Sequence, residues 1–471
     1  MKKILLPIFL AFITYSFAQT PCVGGIAAGY PCSGYDLQSY IPFSTFGAGN
    51  SNDSWGWTDL DDGTEYVLVG LDNGVAFVDI SDPVNPVYLG KLPTHTNASL
   101  WRDVKVYNNH AFVVSEASGH GMQVFDLTRL RSVASPPETF TEDAHYDGFG
   151  SAHNVVINES TGYAYGVGTN TYNGGPHFVN IQDPLNPVGE GGYAVDDYSH
   201  DGQVVTYNGP DTDYTDREIY VGSNENEVIV ADITDKNNPV SISTIGYSST
   251  VYTHQGWFTD DQVYFVVGDE IDEIDYGFNT RTLVFDFTDL DNPTLSFEYL
   301  GPTPATDHNL YIKGDDLYLA NYTAGMRVID ISDIENGNMT ETGYFDVFPS
   351  GNNSGYNGAW NVYPYFESEN IVITTLFSGG LFIVKESNLG TSDFDLNHGL
   401  SIFPNPTLDE ININSKTAPI TSIAVSDVSG KVLFSVNNLD TDQKTINIAN
   451  LSEGLYFVTI NNQVTKKIIK K

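Results

Sequence analysis

The chain has 471 residues, of which 60 are Asp or Glu and 20 are Lys or Arg, and its formal net charge is −40 at pH 7. A chain of this length exceeds one compact core of ordinary size, so two or more folded units are expected. So acidic a protein repels nucleic acid and anionic lipid, because phosphate binding requires clustered Lys and Arg. We therefore expect no nucleic-acid partner.

Residues 1–18 have the pattern of a secretory signal peptide. Two lysines follow Met1, residues 4–15 form an apolar run, and a small-x-small cleavage site precedes Gln19. The run is too short to span a bilayer, and no later stretch approaches about 18 apolar residues, so no transmembrane segment is expected. We predict secretion through the periplasm to the extracellular space or to the outer-membrane surface.

Two cysteines, Cys22 and Cys32, follow the cleavage site closely. In an exported protein such a pair more often forms a disulfide than a metal site. We therefore interpret residues 19–54 as a disulfide-stapled segment. This segment also contains a strand-like run at residues 37–43. The repeats described next predict propeller blades, and the last of these blades lacks its outermost strand. We expect residues 37–43 to provide that strand, since an unpaired sheet edge would be a liability.

Residues 55–387 contain a repeat of about 50 residues, which is the period of a four-stranded propeller blade. Each repeat has a run rich in Val, Ile and Phe, with a polar residue at its end. No amphipathic helical stretch interrupts the repeats. The polar residues are Asp79, Asp126, Asn180, Asp232, Asp286, Asp330 and Lys385. The sequence thus predicts an all-β fold, a seven-bladed β-propeller followed by a small C-terminal β-sandwich domain.

Two features of the propeller region resemble a known family. The repeats approximate the pattern VFVDISDPxNP, and they look like the LVIVD-type repeats of bacterial surface propellers. The run from Cys22 to Cys32 and the later Trp55-Gly56-Trp57 resemble the choice-of-anchor B family. That resemblance implies a surface-exposed propeller joined to varied C-terminal anchors. It implies no established biochemical activity, so it assigns no catalytic residue.

The end of the chain carries a second resemblance. After a polar linker at 388–398, residues 399–471 open with LSIFPNPT, continue through LSEGLYFV and end in paired lysines. These marks resemble the type IX secretion C-terminal sorting domain of Bacteroidetes. The resemblance implies that the secretion machinery is a partner, and that the domain is later removed or exchanged for a surface anchor.

Four of the ten histidines occupy one repeat position, at the start of the innermost strand in four consecutive blades. Imidazoles that converge near the propeller axis suit a divalent transition metal, and an open position there would support metal-assisted chemistry. The alternative is that each ring packs at the channel mouth, with neighbouring polar residues holding the loop. These histidines are His153, His200, His254 and His308.

Other side chains are expected near the same mouth, either behind the metal ligands or as a binding surface on that face. They are Trp101, Asp103, Glu116, Asn154, Asp201, Gln255, Glu270, Asn309, Trp360 and Asn361. The run 269–275 is rich in acids, which favours either calcium binding or a solvated charged loop.

Three functions fit these features. A monomeric surface module that binds a glycan or protein is favoured over catalysis, because no G-x-S-x-G, H-E-x-x-H or Walker motif is present. A metal-dependent extracellular enzyme using the four histidines is the second hypothesis. A structural component of the surface layer is the third.

Overall fold

A computed structural model of the chain describes residues 19–377, 379–387, 400–415, 419–428, 430–461 and 464–471. The predicted signal peptide, 1–18, and the predicted linker, 388–398, lie outside the described residues. The chain divides into two compact units, Met1–Ser387 and Asn388–Lys471.

The first unit is a seven-bladed β-propeller, which confirms the predicted fold class; its described residues form seven sheets. The strands of each blade follow from the innermost outwards. Blade one contains Ser51–Thr58, Glu65–Leu71, Gly74–Asp79 and Val87–Pro93. Blade two contains Arg102–Tyr107, His110–Ser115, Met122–Asp126 and Ala144–Tyr146. Blade three contains Asn154–Asn158, Tyr163–Val167, His177–Asn180 and Val188–Gly192.

The remaining blades repeat this antiparallel order. Blade four contains Asp201–Thr206, Glu218–Ser223, Val228–Asp232 and Val240–Ile245. Blade five contains Thr253–Phe258, Tyr264–Asp269, Arg281–Asp286 and Thr294–Leu300. Blade six contains Leu310–Lys313, Asp316–Ala320, Met326–Asp333 and Asn338–Phe345. Blade seven contains Gly358–Tyr363, Asn370–Leu376, Gly380–Glu386 and Tyr35–Pro42.

Short elements join these strands. A two-residue strand, Glu138–Thr139, pairs in parallel with the outer strand of blade one. An α-helix covers Asp272–Tyr276. The 3₁₀ turns are Phe43–Phe46, Leu127–Ser132, Tyr172–Gly174, Thr212–Tyr214 and Ile334–Asn336.

The recurring Asp or Asn of the repeat caps the turn that leaves the third strand. The Oδ1 atom of Asp79 accepts a 2.8 Å hydrogen bond from the backbone N–H of Ser81, two residues later. Such a side chain stabilises the turn by bonding its own backbone. The same bond recurs at Asp126, Asn180, Asp232, Asp286 and Asp330. Lys385 stands where the chain leaves the last blade and needs no such turn.

The core lies between facing blades. Phe77 of blade one, for example, stacks on Phe125 of blade two with ring centroids 4.7 Å apart, and both rings are fully buried. The innermost strands of neighbouring blades contact one another in ring order. The innermost strand of blade seven contacts that of blade one, which closes the ring. Burial of these apolar faces holds the ring together, since each buried aromatic side chain contributes about 2 kcal/mol or more.

The N-terminal segment supplies the outermost strand of blade seven. Tyr35–Pro42 pairs antiparallel with Gly380–Glu386, so the two ends of the propeller chain meet in one sheet. Ser387, the last residue of this unit, donates from its backbone N–H to the carbonyl oxygen of Gly34 at 2.7 Å and from its hydroxyl to Asp36 at 2.6 Å. The innermost strand of blade one begins at Ser51, within the segment assigned above to 19–54.

The predicted disulfide between Cys22 and Cys32 is confirmed. Cys32 is buried, and its strand, Tyr30–Ser33, adds to the outer edge of blade six by pairing with Asn338–Phe345; Ile26–Ala27 then pairs with Tyr30–Ser33. The stapled segment therefore extends one blade and completes the next.

The second unit consists of β-strands. One sheet contains Leu400–Phe403, Glu410–Ser415 and Gln443–Asn447, and the other contains Ile420–Asp427, Val432–Thr441, Gly454–Ile460 and Val464–Lys470. Alternate residues of these strands are buried, and a cluster rich in Ile, with Ile411, Ile423 and Ile468, forms its core.

Candidate functional site

The contacts of the predicted site residues separate them into two layers. Each candidate histidine is followed directly by a polar residue. The histidines line one cavity, whereas polar residues that follow them bond to neighbouring blades, as Asn309 does to Asp53. We call the histidine side the imidazole row, which consists of His153, His200, His254 and His308 with Trp360 at its end. We call the other side the polar layer, which contains Asn154, Asp201, Gln255, Asn309 and Asn361.

The imidazole row brings all four predicted histidines together. Consecutive ring centroids, from His153 to His308, lie 4.2, 4.4 and 4.2 Å apart, and the ring of Trp360 lies 3.9 Å beyond His308. The row thus follows the ring of blades from three to seven as an arc of neighbouring rings.

Hydrogen bonds fix which nitrogen carries the proton in two of the rings, His200 and His308. The Nδ1 atom of His200 lies 3.0 Å from the carbonyl oxygen of His254, and that of His308 lies 2.6 Å from the carbonyl oxygen of Trp360. A carbonyl oxygen only accepts, so Nδ1 donates in both rings and Nε2 keeps a free lone pair. His153 is held differently, since its Nδ1 lies 2.6 Å from a carboxylate oxygen of Glu116.

The electrostatic surroundings keep most of the row neutral. Burial lowers the pKa of His308 to about 3, and burial together with the neighbouring imidazoles moves the pKa values of His200 and His254 well below the usual range. Burial opposes protonation of His153 too, but its hydrogen bond to Glu116 and the charge of that carboxylate raise its pKa. Neutral imidazoles can accept hydrogen bonds or bind a metal ion.

The row forms the floor of a cavity of about 440 Å³, which we call the axial pocket. Of the residues predicted for this face, Trp101, Glu116, Glu270 and Trp360 line it together with the four histidines. Trp101 remains 39% exposed at the mouth. Four tyrosines complete the wall, Tyr198, Tyr252, Tyr322 and Tyr356. Sequence reasoning did not place Tyr198, Tyr252 or Tyr356 there, although the first two each stand two positions before a candidate histidine.

Glu270 enters the pocket beside two histidines. One of its oxygens accepts a 2.5 Å hydrogen bond from the hydroxyl of Tyr322, and the other lies 3.8 Å from Nε2 of His254. One ligand atom from each of His254, Glu270 and His308 lies within 4.8 Å of the others. Burial raises the pKa of Glu270 to about 7.

The polar layer joins blades to one another. The amide of Asn309 in blade six donates to Asp53 of blade one at 2.6 Å, and the amide of Asn361 in blade seven donates to the carbonyl oxygen of Ser54 at 2.7 Å. Gln255 of blade five accepts from the backbone N–H of Leu310 at 2.9 Å. Asn154 of blade three donates to the carbonyl oxygen of His200, at the start of blade four. Asp103 of blade two accepts from the backbone N–H of Val155 in blade three. These predicted residues hold the ring beneath the pocket.

A buried charge cluster lies in this layer. Lys105 contacts both oxygens of Asp103, at 2.7 and 2.9 Å. Burial raises the pKa values of Asp53 and Asp201 to about 7, while Lys105, through its attraction, lowers both. Asp201 and Lys105 line a smaller cavity of about 150 Å³. Sequence reasoning identified Asp103 and Asp201 but missed Lys105 and Asp53, which belong to different repeat positions.

The acidic run at 269–275 contains buried side chains, whereas the solvated-loop prediction expected them to be exposed. Asp269 is buried and accepts from the backbone N–H of Tyr252 at 2.8 Å. Asp272 is also buried and accepts from the guanidinium of Arg281 at 2.5 Å. The prediction was wrong because Arg281, six positions beyond the run, folds back onto it. A separate group, Asp211 with Asp289 and Asp291, is largely exposed.

Comparisons with known proteins give distant structural similarities. The chain is similar to PorZ, an essential surface component of the type-IX secretion system of Porphyromonas gingivalis, with 11% identity and a TM-score of 0.48; the match covers 89% of this chain and 58% of that one. It is similar to the Cps50 (Swd1) β-propeller domain of Myceliophteria thermophila, with 10% identity, a TM-score of 0.45, and coverage of 72% and 99%. No curated protein matches.

Residues 401–471 match the secretion system C-terminal sorting domain. The match confirms the sorting tail predicted from the sequence and implies contact with the secretion machinery. Within the described ranges, no helix is long and apolar enough to cross a membrane. The sorting tail indicates export, so the chain is directed to the cell surface or the extracellular space.

Proposed function

We propose that the propeller is a surface-displayed binding module that takes a small carbohydrate, or the end of a glycan chain, into the axial pocket. The observation that carries this proposal is the juxtaposition of aromatic rings with hydrogen-bonding groups around one cavity. Its volume of about 440 Å³ lies within the range of small-molecule sites, about 300–1,000 Å³.

The chemistry of the wall suits a sugar. Aromatic faces such as that of Trp101 bury the apolar face of a pyranose ring, while imidazole nitrogens and the carboxylate of Glu116 can pair with its hydroxyls. Neutral imidazoles with a free Nε2 accept hydrogen bonds without repelling an uncharged ligand. Two carboxylates, Glu116 and Glu270, would disfavour anionic ligands in the same space.

The display of such a module at the surface follows from the sorting tail. We further propose that the propeller belongs with the choice-of-anchor B proteins and their LVIVD-type repeats. The support for this is the run between Cys22 and Cys32 together with the six repeated turns that an Asp or Asn caps.

The test is binding of the purified full chain to a saccharide array, followed by titration of each positive saccharide monitored by tryptophan fluorescence. We expect Trp101→Ala to weaken binding at least tenfold. The matched control is Tyr172→Ala, because Tyr172 is 38% exposed and lies outside the axial pocket. Absence of binding to every saccharide, or equal weakening in both variants, would contradict the proposal; catalytic turnover or ordered self-assembly would favour another function.

A further inference from the structure

We propose that His254, His308 and Glu270 bind one divalent transition-metal ion at the floor of the axial pocket. This inference goes beyond carbohydrate binding and does not depend on it. It also differs from the four-histidine site that the sequence suggests, since it takes two imidazoles from neighbouring blades and a carboxylate from the loop between strands of blade five.

The spacing of the three donors fits a single ion. One ligand atom of each side chain lies within 4.8 Å of the other two, and Nε2 of His254 lies 3.8 Å from the carboxylate of Glu270. In a tetrahedral site with bonds of about 2.1 Å, neighbouring ligand atoms lie about 3.4 Å apart. Small rotations of the three side chains would therefore bring the donors to coordination distance.

The bonding state of His254 independently points to a ligand. The side chain is 1% exposed, and its Nε2 has no hydrogen-bond partner among the described residues. A buried polar group without a partner costs about 1–3 kcal/mol, and such groups are rare in native structures. A metal ion on Nε2 would use the lone pair that the fold leaves unpaired.

The other two donors are already oriented for coordination. His308 donates from Nδ1 to the carbonyl oxygen of Trp360, which leaves its Nε2 free. The Tyr322 hydroxyl binds one oxygen of Glu270 and leaves the other toward His254. Hydrogen bonds of this kind to the far side of metal ligands fix their tautomer and direction. Two imidazoles and one carboxylate are a donor set that suits iron, zinc and related divalent ions.

His200 and His153 lie farther along the row, where His153 is tied to Glu116. Both imidazoles remain in the floor of the axial pocket, where they can contact a ligand bound at the open coordination position of the ion. A metal held by three protein ligands keeps such an open position. The ion would then present a positive charge to a ligand oxygen in the cavity.

The test is titration of the chelator-treated full chain with Co²⁺, monitored by its visible absorption, and with Zn²⁺ by calorimetry. We expect one ion per chain. Glu270→Gln and His254→Gln should each weaken affinity at least tenfold, whereas His200→Gln should change it less than threefold. His177→Gln is the matched control, because His177 is a buried imidazole of blade three outside the axial pocket. Circular dichroism shows whether each variant folds.

Three results would overturn the proposal: no binding of either ion, equal affinity in folded Glu270→Gln, or loss of binding in Asp289→Asn, which alters the exposed acidic group instead. The titration contains no saccharide. A negative saccharide array therefore leaves the metal site standing, and a failed metal titration leaves carbohydrate binding to be judged on its own.

Discussion

The side-chain amide of Asn309 donates a 2.6 Å hydrogen bond to Asp53, a residue 256 positions earlier in the chain. Both side chains are buried, and they join blade six directly to blade one, although blade seven stands between these blades in the ring. Asp53 also accepts from the indole N–H of Trp360 at 3.2 Å. Ring closure therefore rests on polar bonds near the axis as well as on the apolar core between blades.

The Asn309→Leu variant should lower the free energy of unfolding by about 2 kcal/mol, because it leaves a buried oxygen of Asp53 without its partner. Denaturant unfolding followed by tryptophan fluorescence measures this. The matched control is Asn85→Leu, since Asn85 makes a similar amide-to-Asp bond in an exposed turn. A loss no larger than that of the control would show that the bond between blades adds nothing.

The Lys105→Met variant should destabilise the propeller by about 3 kcal/mol or more at pH 8. Lys105 is the cation that pairs with buried Asp103, and removing one partner of a buried pair leaves an uncompensated charge. Arg217→Met is the control, because Arg217 is half exposed in its pair with Asp232 and exposed pairs contribute about 0–1 kcal/mol. Equal loss in both variants would contradict the prediction.

The pH dependence of stability should reflect Asp53. Burial and the charge of Asp103 raise its pKa from 3.8 to about 7, against the opposing effects of Lys105, Trp360 and His153. Between these values the folded state holds a proton that the unfolded state has released, so the free energy of unfolding falls as pH rises from about 4 to about 7.

Asp53→Asn removes this titration. Its free energy of unfolding, measured at pH 5, 6, 7 and 8, should fall less steeply than that of the unaltered protein. Asp82→Asn is the control, because the pKa of Asp82 is lowered by its bond to Asn85 and its contribution is lost only as pH falls below about 4. Parallel slopes for Asp53→Asn and the unaltered protein would exclude this role.

Removal of residues 19–44 should lower the melting temperature by at least about 10 °C, since it removes several kcal/mol of packing and each kcal/mol shifts melting by about 2–4 °C. The deletion takes Tyr35–Pro42 from blade seven and exposes Gly380–Glu386, whose Leu381 to Val384 are fully buried. Calorimetry measures the shift, and a synthetic 19–44 peptide added in trans should restore part of it. An unchanged melting temperature would show that the edge strand is dispensable.

Most of the propeller was predictable from local patterns. The Asp or Asn near the end of a repeat stabilises a turn, because its side chain bonds the backbone of that turn. Six blades need this turn, so the residue recurs at one position and makes the repeat visible in the sequence. The pairing of Tyr30–Ser33 with blade six was not predictable. A four-residue strand with two glycines nearby carries no information about which distant edge it joins.

The site was predictable only in part, for a geometric reason. Histidines at one repeat position come from equivalent places in neighbouring blades, which is why the sequence suggested that they meet. The polar residues one position later were grouped with them, although their side chains lie outside the axial pocket. Glu270 and Tyr322 lie 52 positions apart, just after the second strands of blades five and six. The sequence identified Glu270 as a residue of this face, but the two side chains differ in type, so the repeat does not predict the bond between them.

The seam between the first and last strands has a mechanical consequence. The propeller ends at Ser387, whose hydrogen bonds to Gly34 and Asp36 tie it to the N-terminal segment. Tension applied to the chain beyond this residue is therefore borne first by those bonds and by the ladder between Tyr35–Pro42 and Gly380–Glu386. The segment before this ladder is held separately, by the Cys22–Cys32 disulfide and by the pairing of Tyr30–Ser33 with blade six.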